Sequence, residues 1–316
     1  MENHNDPEPI NIGTEYVVIV NFNGRLGNNI FQYCFGRILA TELGYKLASP
    51  SIEGFVGTQG NIEGKSLDTH PLNLDGHVVD LRAILHNQQD RQIVLGGYFQ
   101  RYEYYKNYQT EIRKWMDIDY YDVGQTENDI IVHVRLGDTM TEFSSKHTHV
   151  LPFSYYEKAL SNISFDKVYI CSDPETISSE YIRQFDKYDP IILRGSGSGS
   201  GPLHVTGGFG AGPKSPQLHL LEDFRAIRSF SKIIIAQSTF SWWGAFLSNA
   251  SEIFVPVPRH NINNRWSTYY PDIALFVDDD DRYKYIKQFG DKWENVNIAE
   301  EIAFRIMRKD YEMQIG

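Results

Sequence analysis

A regular alternation of apolar strands and helical segments in the second half of the chain most limits the possible folds. Strand patterns fall at residues 130 to 136, 167 to 172, 190 to 194, 232 to 237 and 252 to 257. Helical patterns lie between most of them, at roughly 153 to 162, 174 to 186, 217 to 230 and 240 to 249. Near-continuous apolar strands separated by helices are typical of a parallel sheet covered on both faces. The pattern therefore predicts an α/β fold.

The first half is less regular but begins in the same way. Residues 16 to 22, Y-V-V-I-V-N-F, read as a buried strand that is followed by a glycine-containing turn. Asn28 is then expected to cap a helix that runs to about Leu43, with Gly44 as its stop. A second strand is expected at Gln92 to Leu95. The tyrosine-rich segment that follows, 98 to 115, is interpreted as partly helical and as either core or a sugar-facing wall.

The length of 316 residues favours two domains of roughly 150 residues each. We place an N-terminal α/β domain at 1-126, a second, parallel α/β domain at 127-295, and a C-terminal helical segment at 296-316. Within that last segment, residues 298 to 313 form an amphipathic pattern preceded by Asn297 as a cap.

Charge and cysteine content exclude several classes of function. A net charge of -11 argues against binding to nucleic acid, because proteins that bind the phosphate backbone usually carry a basic face. The sequence shows no signal-peptide pattern and no run of about 18 apolar residues, so we expect no transmembrane segment. Cys34 and Cys171 lie in apolar runs, which favours buried thiols in a reducing, cytoplasmic location, with a disulfide as the alternative.

Polar residues collect where the predicted strands end. Parallel sheets bind ligands at the carboxyl ends of their strands, and these ends carry Arg135 to Asp138, Ser172-Asp173, Arg194 and Ser238-Thr239. Within I-V-H-V-R-L-G-D, residues 131 to 138, side chains alternate, so His133 and Arg135 share one face. An imidazole and a guanidinium beside a carboxylate indicate a site for a phosphorylated ligand.

A helix start at the same edge strengthens this interpretation. Ser238 or Thr239 is a good N-cap, and the helix after it would direct free backbone N–H groups and its positive dipole end at the crevice. This arrangement predicts a diphosphate site. At most one of Trp242 and Trp243 can face the crevice, and the alternative is that both are core residues behind a capped helix.

Three motifs together resemble a known family. G-R-L-G-N-N-I-F-Q-Y at 24 to 33, H-V-R-L-G-D at 133 to 138 and S-T-F-S-W-W-G-A at 238 to 245 are similar to those of the bacterial and viral alpha-1,2-fucosyltransferases of glycosyltransferase family 11. The resemblance implies two Rossmann-like domains of the GT-B type with a central interdomain cleft. It also implies GDP-fucose as donor, an oligosaccharide or glycan acceptor, inversion at the anomeric carbon, and no metal or separate cofactor.

The resemblance also implies roles for the donor side of the site. Arg135 would hold the diphosphate with the backbone of Ser238, Thr239, Phe240 and Ser241, and His133 would lie near the nucleotide. Asp173 stands in the family's carboxylate motif after the next strand. Asp223 matches a carboxylate that accepts the N–H donors of a guanine edge, with Glu222 as its alternative and a solvated helix carboxylate as the simpler interpretation.

The sequence offers two candidates for the catalytic base and two interpretations of the residues on the acceptor side of the cleft. Asp138 and Glu142 are both candidates for the base that inversion needs, and Asp138 is equally suited to hold Arg135 in place. On the opposite side of the cleft we expect Arg25, Gly27, Asn28 and Gln32. For Asn28 and Gln32 the choice is between ligand contacts across the cleft and a helix cap with a buried amide.

Three further features of the sequence affect the interpretation: a glycine- and serine-rich segment, two acidic stretches and two departures from the family pattern. The glycine- and serine-rich segment 195-213 is expected to be a flexible loop, either an insertion or a lid that orders over bound donor. The acidic stretches 117 to 119 and 278 to 281 match the D-x-D of metal-dependent glycosyltransferases, but we interpret them as solvated surface. Leu136 and Pro174 depart from the family pattern, so transfer of another deoxyhexose such as rhamnose, or binding of a nucleotide or glycan without catalysis, are the alternatives.

Overall fold

The computed structural model describes residues 16–58, 70–87, 91–119, 121–137, 150–193, 216–258 and 273–303. These residues form two largely parallel sheets with helices packed on them, so the predicted α/β class is confirmed. Asp138, Glu142, Arg194 and the segment 195-213 lie outside the described residues, and the expectations placed on them stay predictions.

The smaller sheet is built by the N-terminal part of the chain. Its four strands have the order β2-β1-β4-β3, and all three neighbouring pairs are parallel. The strands are β1 (Val17–Val20), β2 (Lys46–Ala48), β3 (Leu72–Leu74) and β4 (Ile93–Leu95). The helices of this part are α1 (Leu26–Leu43), α2 (Leu81–His86) and α3 (Gln109–Trp115), with single 3-10 turns at Val56–Thr58, Tyr102–Tyr104 and Lys106–Tyr108.

The larger sheet has seven strands in the order β11-β10-β9-β8-β5-β6-β7. They are β5 (Ile130–Val134), β6 (Val168–Ser172), β7 (Ile191–Leu193), β8 (Lys232–Ile234), β9 (Glu252–Val257), β10 (Tyr283–Phe289) and β11 (Lys292–Val296). Only β11 pairs antiparallel to its neighbour. The helices are α4 (Phe153–Ser161), α5 (Glu180–Arg183), α6 (Pro216–Ser229) and α7 (Thr239–Leu247), with 3-10 turns at Pro174–Thr176 and Asp186–Tyr188.

Two helix predictions need correction. The helix α1 begins at Leu26, with Arg25 rather than Asn28 at the N-cap position. The single helix expected at 174 to 186 is divided into α5 and two 3-10 turns, because the Ser179 hydroxyl accepts from Ile182 N and starts a new helix inside the segment.

One hydrophobic cluster connects the two sheets. It contains Val18 and Ile93 of the smaller sheet, Ile131 and Tyr169 of the larger one, and the helices α1, α6 and α7 between them. A second cluster covers the opposite face of the larger sheet and includes Tyr155 of α4. The side chains that alternate along β5 therefore point into two different cores, as a sheet covered on both faces requires.

The structure also decides the expectations for the cysteines, the tyrosine-rich segment and the C-terminal helix. Cys34 and Cys171 are both buried free thiols. The tyrosine-rich segment is mainly core, because Tyr102, Tyr104 and Tyr105 are all buried. Residue 298 begins the C-terminal helix, and Asn297 caps it by accepting from Ala299 N at 3.0 Å. The domain boundaries at 126 and 295 stay a prediction.

The strand order places the candidate site. The chain runs outward from β5 to β6 and β7, and then returns to β8 on the other side of β5. Such a reversal opens a crevice at the carboxyl ends of the two central strands. No described helix is long and apolar enough to cross a membrane.

Candidate functional site

The crevice between β5 and β8 contains the predicted basic strand end. His133 is the fourth residue of β5, and Arg135 follows the strand directly. His133 is buried, with 7% of its surface exposed, whereas Arg135 is only partly buried. Because His133 and Ile131 lie on the same face of the strand, this face looks toward α6, α7 and the smaller sheet.

The imidazole of His133 is neutral at physiological pH. Burial, and then the positive charge of Arg135, lower the pKa of His133 to about 3. Its Nδ1 atom is buried and has no hydrogen-bond partner among the described residues. A neutral ring with an open nitrogen can exchange a hydrogen bond with a ligand, but it contributes no positive charge.

The helix α7 starts opposite this strand end. Ser238 is its N-cap, and its hydroxyl accepts from Phe240 N at 3.3 Å. The prediction that Ser238 or Thr239 caps this helix is confirmed for Ser238. The first turn contains no acidic residue, so the positive dipole end is not neutralised by a carboxylate of the helix itself, although the N–H groups of Ser238 and Phe240 already have acceptors.

The side chains of this first turn have different surroundings. Ser241 is fully buried and its hydroxyl donates to the Ala236 carbonyl at 3.3 Å, so it serves the fold. Phe240 is partly exposed, and its ring lies 5.7 Å from His133 and 5.5 Å from Phe224. Trp242 and Trp243 are both buried, which favours the interpretation of two core tryptophans behind a capped helix.

A second helix start meets α7 from the smaller sheet. Asn28, in the first turn of α1, accepts hydrogen bonds from the Thr239 hydroxyl at 3.2 Å and from Gln100 Nε2 at 2.9 Å. A Cβ on Gly27 would lie 2.6 Å from Phe240 N, so only glycine permits this approach of the two helices. The first turn of α1 also contains no acidic residue. Two positive helix ends thus converge on one place, where they would stabilise an anion.

Gln32 does not reach the crevice. Its Oε1 accepts from Asn23 N at 3.0 Å and its Nε2 donates to the Gly97 carbonyl at 3.1 Å, while the side chain is 1% exposed. These bonds tie the turn after β1 to the turn after β4. The geometry therefore favours the buried amide over a ligand contact, whereas Arg25 is exposed at the N-cap of α1.

Asp173 fixes the end of β5 from the neighbouring strand. Its Oδ2 accepts from the backbone N–H of Leu136 at 3.2 Å. A Cβ on Gly137 would lie 2.7 Å from its carboxyl carbon, so the two loops pack directly against each other. Asp173 is thus placed to hold the chain beside Arg135.

Asp223 lies on α6 with its carboxyl group against β6. Burial, and then the charges of Asp173 and Glu222, raise its pKa to about 8, although a hydrogen bond with the Cys171 thiol opposes the shift. The thiol of Cys171 has its own pKa raised by burial and by this carboxyl group. Asp223 is partly buried, and with this raised pKa it is mostly protonated at neutral pH. It therefore differs from a solvated helix carboxylate.

Sequence reasoning missed two partners in this region. Gln100 donates to Asn28, and its position soon after the end of β4 was the available signal, since polar residues after strand ends collect at one edge of a sheet. Cys171 lies close enough to Asp223 to influence its pKa, and no sequence signal separates this cysteine from an ordinary core thiol.

The described residues offer no metal centre. They contain no group of three or more His, Cys, Asp or Glu side chains arranged to hold an ion. In the acidic stretch 278 to 281, Asp279 accepts from the Tyr102 hydroxyl at 2.5 Å and Asp280 pairs with Arg282 at 2.7 Å. Asp280 is partly buried by its ion pair, whereas Asp278, Asp279 and Asp281 are exposed, in agreement with the expected solvated surface.

Comparisons with known proteins give structural likenesses only. No family model and no curated protein matches the sequence. The solved structures that match include NodZ alpha-1,6-fucosyltransferase soaked with GDP-fucose, with 13% identity and a TM-score of 0.43 over 76% of this chain and 94% of that one. Fucosyltransferase NodZ from Bradyrhizobium has 13% identity and a TM-score of 0.43, with 76% of this chain and 96% of that chain covered. An Arabidopsis thaliana FUT1 variant in complex with GDP has 12% identity and a TM-score of 0.46, with 79% of this chain and 72% of that chain covered. Likenesses of this degree assign neither a family nor an activity.

Proposed function

We propose that this chain is an inverting glycosyltransferase that transfers L-fucose from GDP-fucose to a sugar hydroxyl, forming an alpha-1,2 linkage to a galactoside. The observation that carries the proposal is the convergence of Arg135 and two uncompensated helix N-termini at the crevice between β5 and β8. The resemblance of the three motifs supplies the identity of the donor and of the linkage.

The chemistry follows from where negative charge develops. When the sugar leaves, the nucleotide diphosphate gains charge, and a permanently charged planar guanidinium with fixed N–H groups stabilises that charge. In the proposed reaction Arg135 and the start of α7 from Ser238 to Ser241 have this role, with the N–H groups of Thr239 and Ser241 as donors because those of Ser238 and Phe240 already have acceptors. They supply positive charge without a metal ion, so we propose that transfer continues in the presence of a chelator.

The nucleotide base would lie beside Phe240 and reach Asp223. Phe240 offers a partly exposed aromatic face between His133 and Phe224. An ionised Asp223 can accept from the two N–H donors of a guanine edge, with Glu222 as the neighbouring alternative. Because its pKa is raised to about 8, guanine binding would have to draw the proton from this carboxyl group. His133 Nδ1 is available for a further hydrogen bond to the nucleotide.

Inversion requires a base for the proton of the acceptor hydroxyl, and the candidates we propose lie outside the described residues. Asp138 and Glu142 are the two candidates, as they follow Arg135 along the chain. His133 is not suited to this role, because a group with a pKa of about 3 is a weak base.

A nucleotide panel tests the donor. Thermal shift with GDP, UDP, ADP, CDP, GDP-fucose and a rhamnose-carrying nucleotide ranks the ligands, because stabilisation grows with the logarithm of ligand concentration over Kd. We expect GDP and GDP-fucose to raise the melting temperature and the others not to. A larger shift with UDP would overturn the guanine assignment, and a shift with the rhamnose donor alone would favour that sugar.

A single-turnover assay separates catalysis from binding. With enzyme in excess over labelled GDP-fucose, a transferase releases GDP and moves or hydrolyses the sugar. If GDP-fucose binds but no sugar is released with or without galactoside acceptors, the chain is a binding protein and the transferase proposal fails.

A further inference from the structure

A polar pocket lies at the edge of the larger sheet opposite the crevice. It encloses about 400 Å³, between the C-terminal ends of α3, α6 and α7. Ser231 and Asn249, which line it, precede β8 and β9. Three arginines, Arg113, Arg225 and Arg228, also line this pocket, which is an unusual concentration for a chain of net charge -11.

Two of these arginines have partners in the fold. Arg113 donates to the carbonyls of Leu247 at 3.1 Å and Ser248 at 2.8 Å, at the end of α7. Arg228 donates from Nε to the Leu247 carbonyl at 3.2 Å and from Nη1 to the Met116 carbonyl at 2.8 Å. Cations at a helix C-terminus neutralise its negative dipole end, so both side chains stabilise α7.

The third arginine has no such partner. Arg225 lies one turn before Arg228 on α6, and its guanidinium makes no hydrogen bond to any described residue. Its Nε atom is nevertheless buried. Arg225 also lines the pocket, so an oxyanion there would pair with a guanidinium charge that no described acceptor engages. The hydrogen bonds of Arg228 use Nε and Nη1, so Nη2 can donate to the same ligand as Arg225, at a guanidinium on which the charge of Asp117 also acts.

The remaining lining residues suit a hydroxylated ligand. Asp117 and Asp119 are exposed at the rim, where carboxylates accept hydrogen bonds from hydroxyl groups. Phe230 adds an apolar surface. We propose that this pocket binds a phosphorylated sugar, with its phosphate on Arg225 and Arg228 and its hydroxyls on the two aspartates. The site is separate from the crevice and does not depend on the function proposed for it.

Calorimetric titration with glucose 6-phosphate tests the proposal. The whole chain is titrated with glucose 6-phosphate, with glucose and with inorganic phosphate. We expect glucose 6-phosphate to bind, inorganic phosphate to bind more weakly and glucose not to bind. In Arg225→Gln the affinity for glucose 6-phosphate should fall about tenfold or more, because a charged donor pair is lost. The exposed Arg183 on α5 provides the matched control, and Arg183→Gln should bind as the wild type does.

Two further variants keep the result decisive. Arg225→Lys retains the charge but not the planar fork, so it should bind with intermediate affinity even if Arg225→Gln folds poorly. Arg135→Gln changes the crevice and should leave glucose 6-phosphate binding intact. No binding to the wild type, equal losses in Arg183→Gln and Arg225→Gln, or a loss in Arg135→Gln alone would each overturn the proposal.

Discussion

The Thr239 hydroxyl donates a hydrogen bond to Asn28 Oδ1 across 3.2 Å and joins the first turn of α7 to the first turn of α1. These helices belong to different sheets, so the bond fixes how the two sheets meet at the crevice. Both helix N-termini are positive and neither has an acidic residue in its first turn. An arrangement of like dipole ends is favourable when an anion lies between them.

The first prediction concerns the missing negative charge between the N-termini of α1 and α7. Asn28→Asp keeps an acceptor for Thr239 and Gln100 and places a carboxylate between the two helix ends. We expect a melting temperature equal to or above that of the wild type, because the carboxylate stabilises both dipoles. GDP affinity, measured by calorimetry, should fall about tenfold, since the new charge repels the diphosphate.

Asn107→Asp is the matched control, because Asn107 is exposed in a 3-10 turn away from the crevice. It adds the same charge and should change neither property. Asn28→Ala, which removes the acceptor from two donors, should instead destabilise the fold by about 1–3 kcal/mol in urea unfolding. If Asn28→Asp bound GDP as the wild type does, the phosphates would not lie between these helices.

The second prediction concerns the carboxyl group of Asp223. Its pKa is raised to about 8, so it is mostly protonated at pH 6 and becomes ionised as the pH rises through 8. If guanine binds to the ionised form, GDP affinity should increase by up to about tenfold per pH unit between pH 6 and pH 8. Calorimetry across this range measures the slope, and Asp223→Asn should remove this part of it.

The same shift predicts a pH dependence of stability without ligand. An acid with a pKa raised from 3.8 to about 8 by folding holds its proton more tightly in the folded state. Its contribution to stability is complete below about pH 4 and is lost as the pH rises toward 8. The melting temperature of Asp223→Asn minus that of the wild type should therefore increase from pH 5 to pH 8. A constant difference would show that this carboxyl group titrates normally.

The third prediction concerns His133, whose pKa is lowered by folding, whereas that of Asp223 is raised. Burial and Arg135 lower its pKa from 6.5 to about 3, so only the unfolded chain takes up this proton between those values. Stability should be lost as the pH falls below 6.5, and His133→Asn should lose less of it. In NMR spectra the ring signals of His133 should stay constant from pH 8 to pH 5. A midpoint near 6.5 would contradict the neutral role assigned to this imidazole.

The larger sheet was predictable where its strands are buried on both faces. The patterns at 130 to 136, 167 to 172 and 252 to 257 correspond to β5, β6 and β9, because continuous apolar runs of β-branched residues have few other uses. The edge hairpin of β10 and β11 was not predicted. Its strands alternate buried and exposed residues, such as Tyr283, Lys284 and Tyr285, so a search for continuous apolar strands does not find them.

The candidate site was predictable in part for a related reason. His133, Arg135 and Ser238 could be assigned to one edge, because parallel strands bring their carboxyl ends together. The contact of Asn28 with Thr239 could not be derived, since it depends on how two separate sheets pack. Gln32 shows the same limit, as its two buried hydrogen bonds involve turns after β1 and β4 that no local pattern connects.

The most direct test of the proposed function is the turnover of GDP-fucose by Arg135→Ala. Arg135 stands at the end of β5 where the leaving diphosphate would lie, so its removal should slow transfer to a galactoside by about 100-fold or more. Arg183→Ala, an exposed arginine on α5, should transfer as the wild type does, and both variants should melt near the wild-type temperature. A folded Arg135→Ala protein with wild-type turnover would contradict the account.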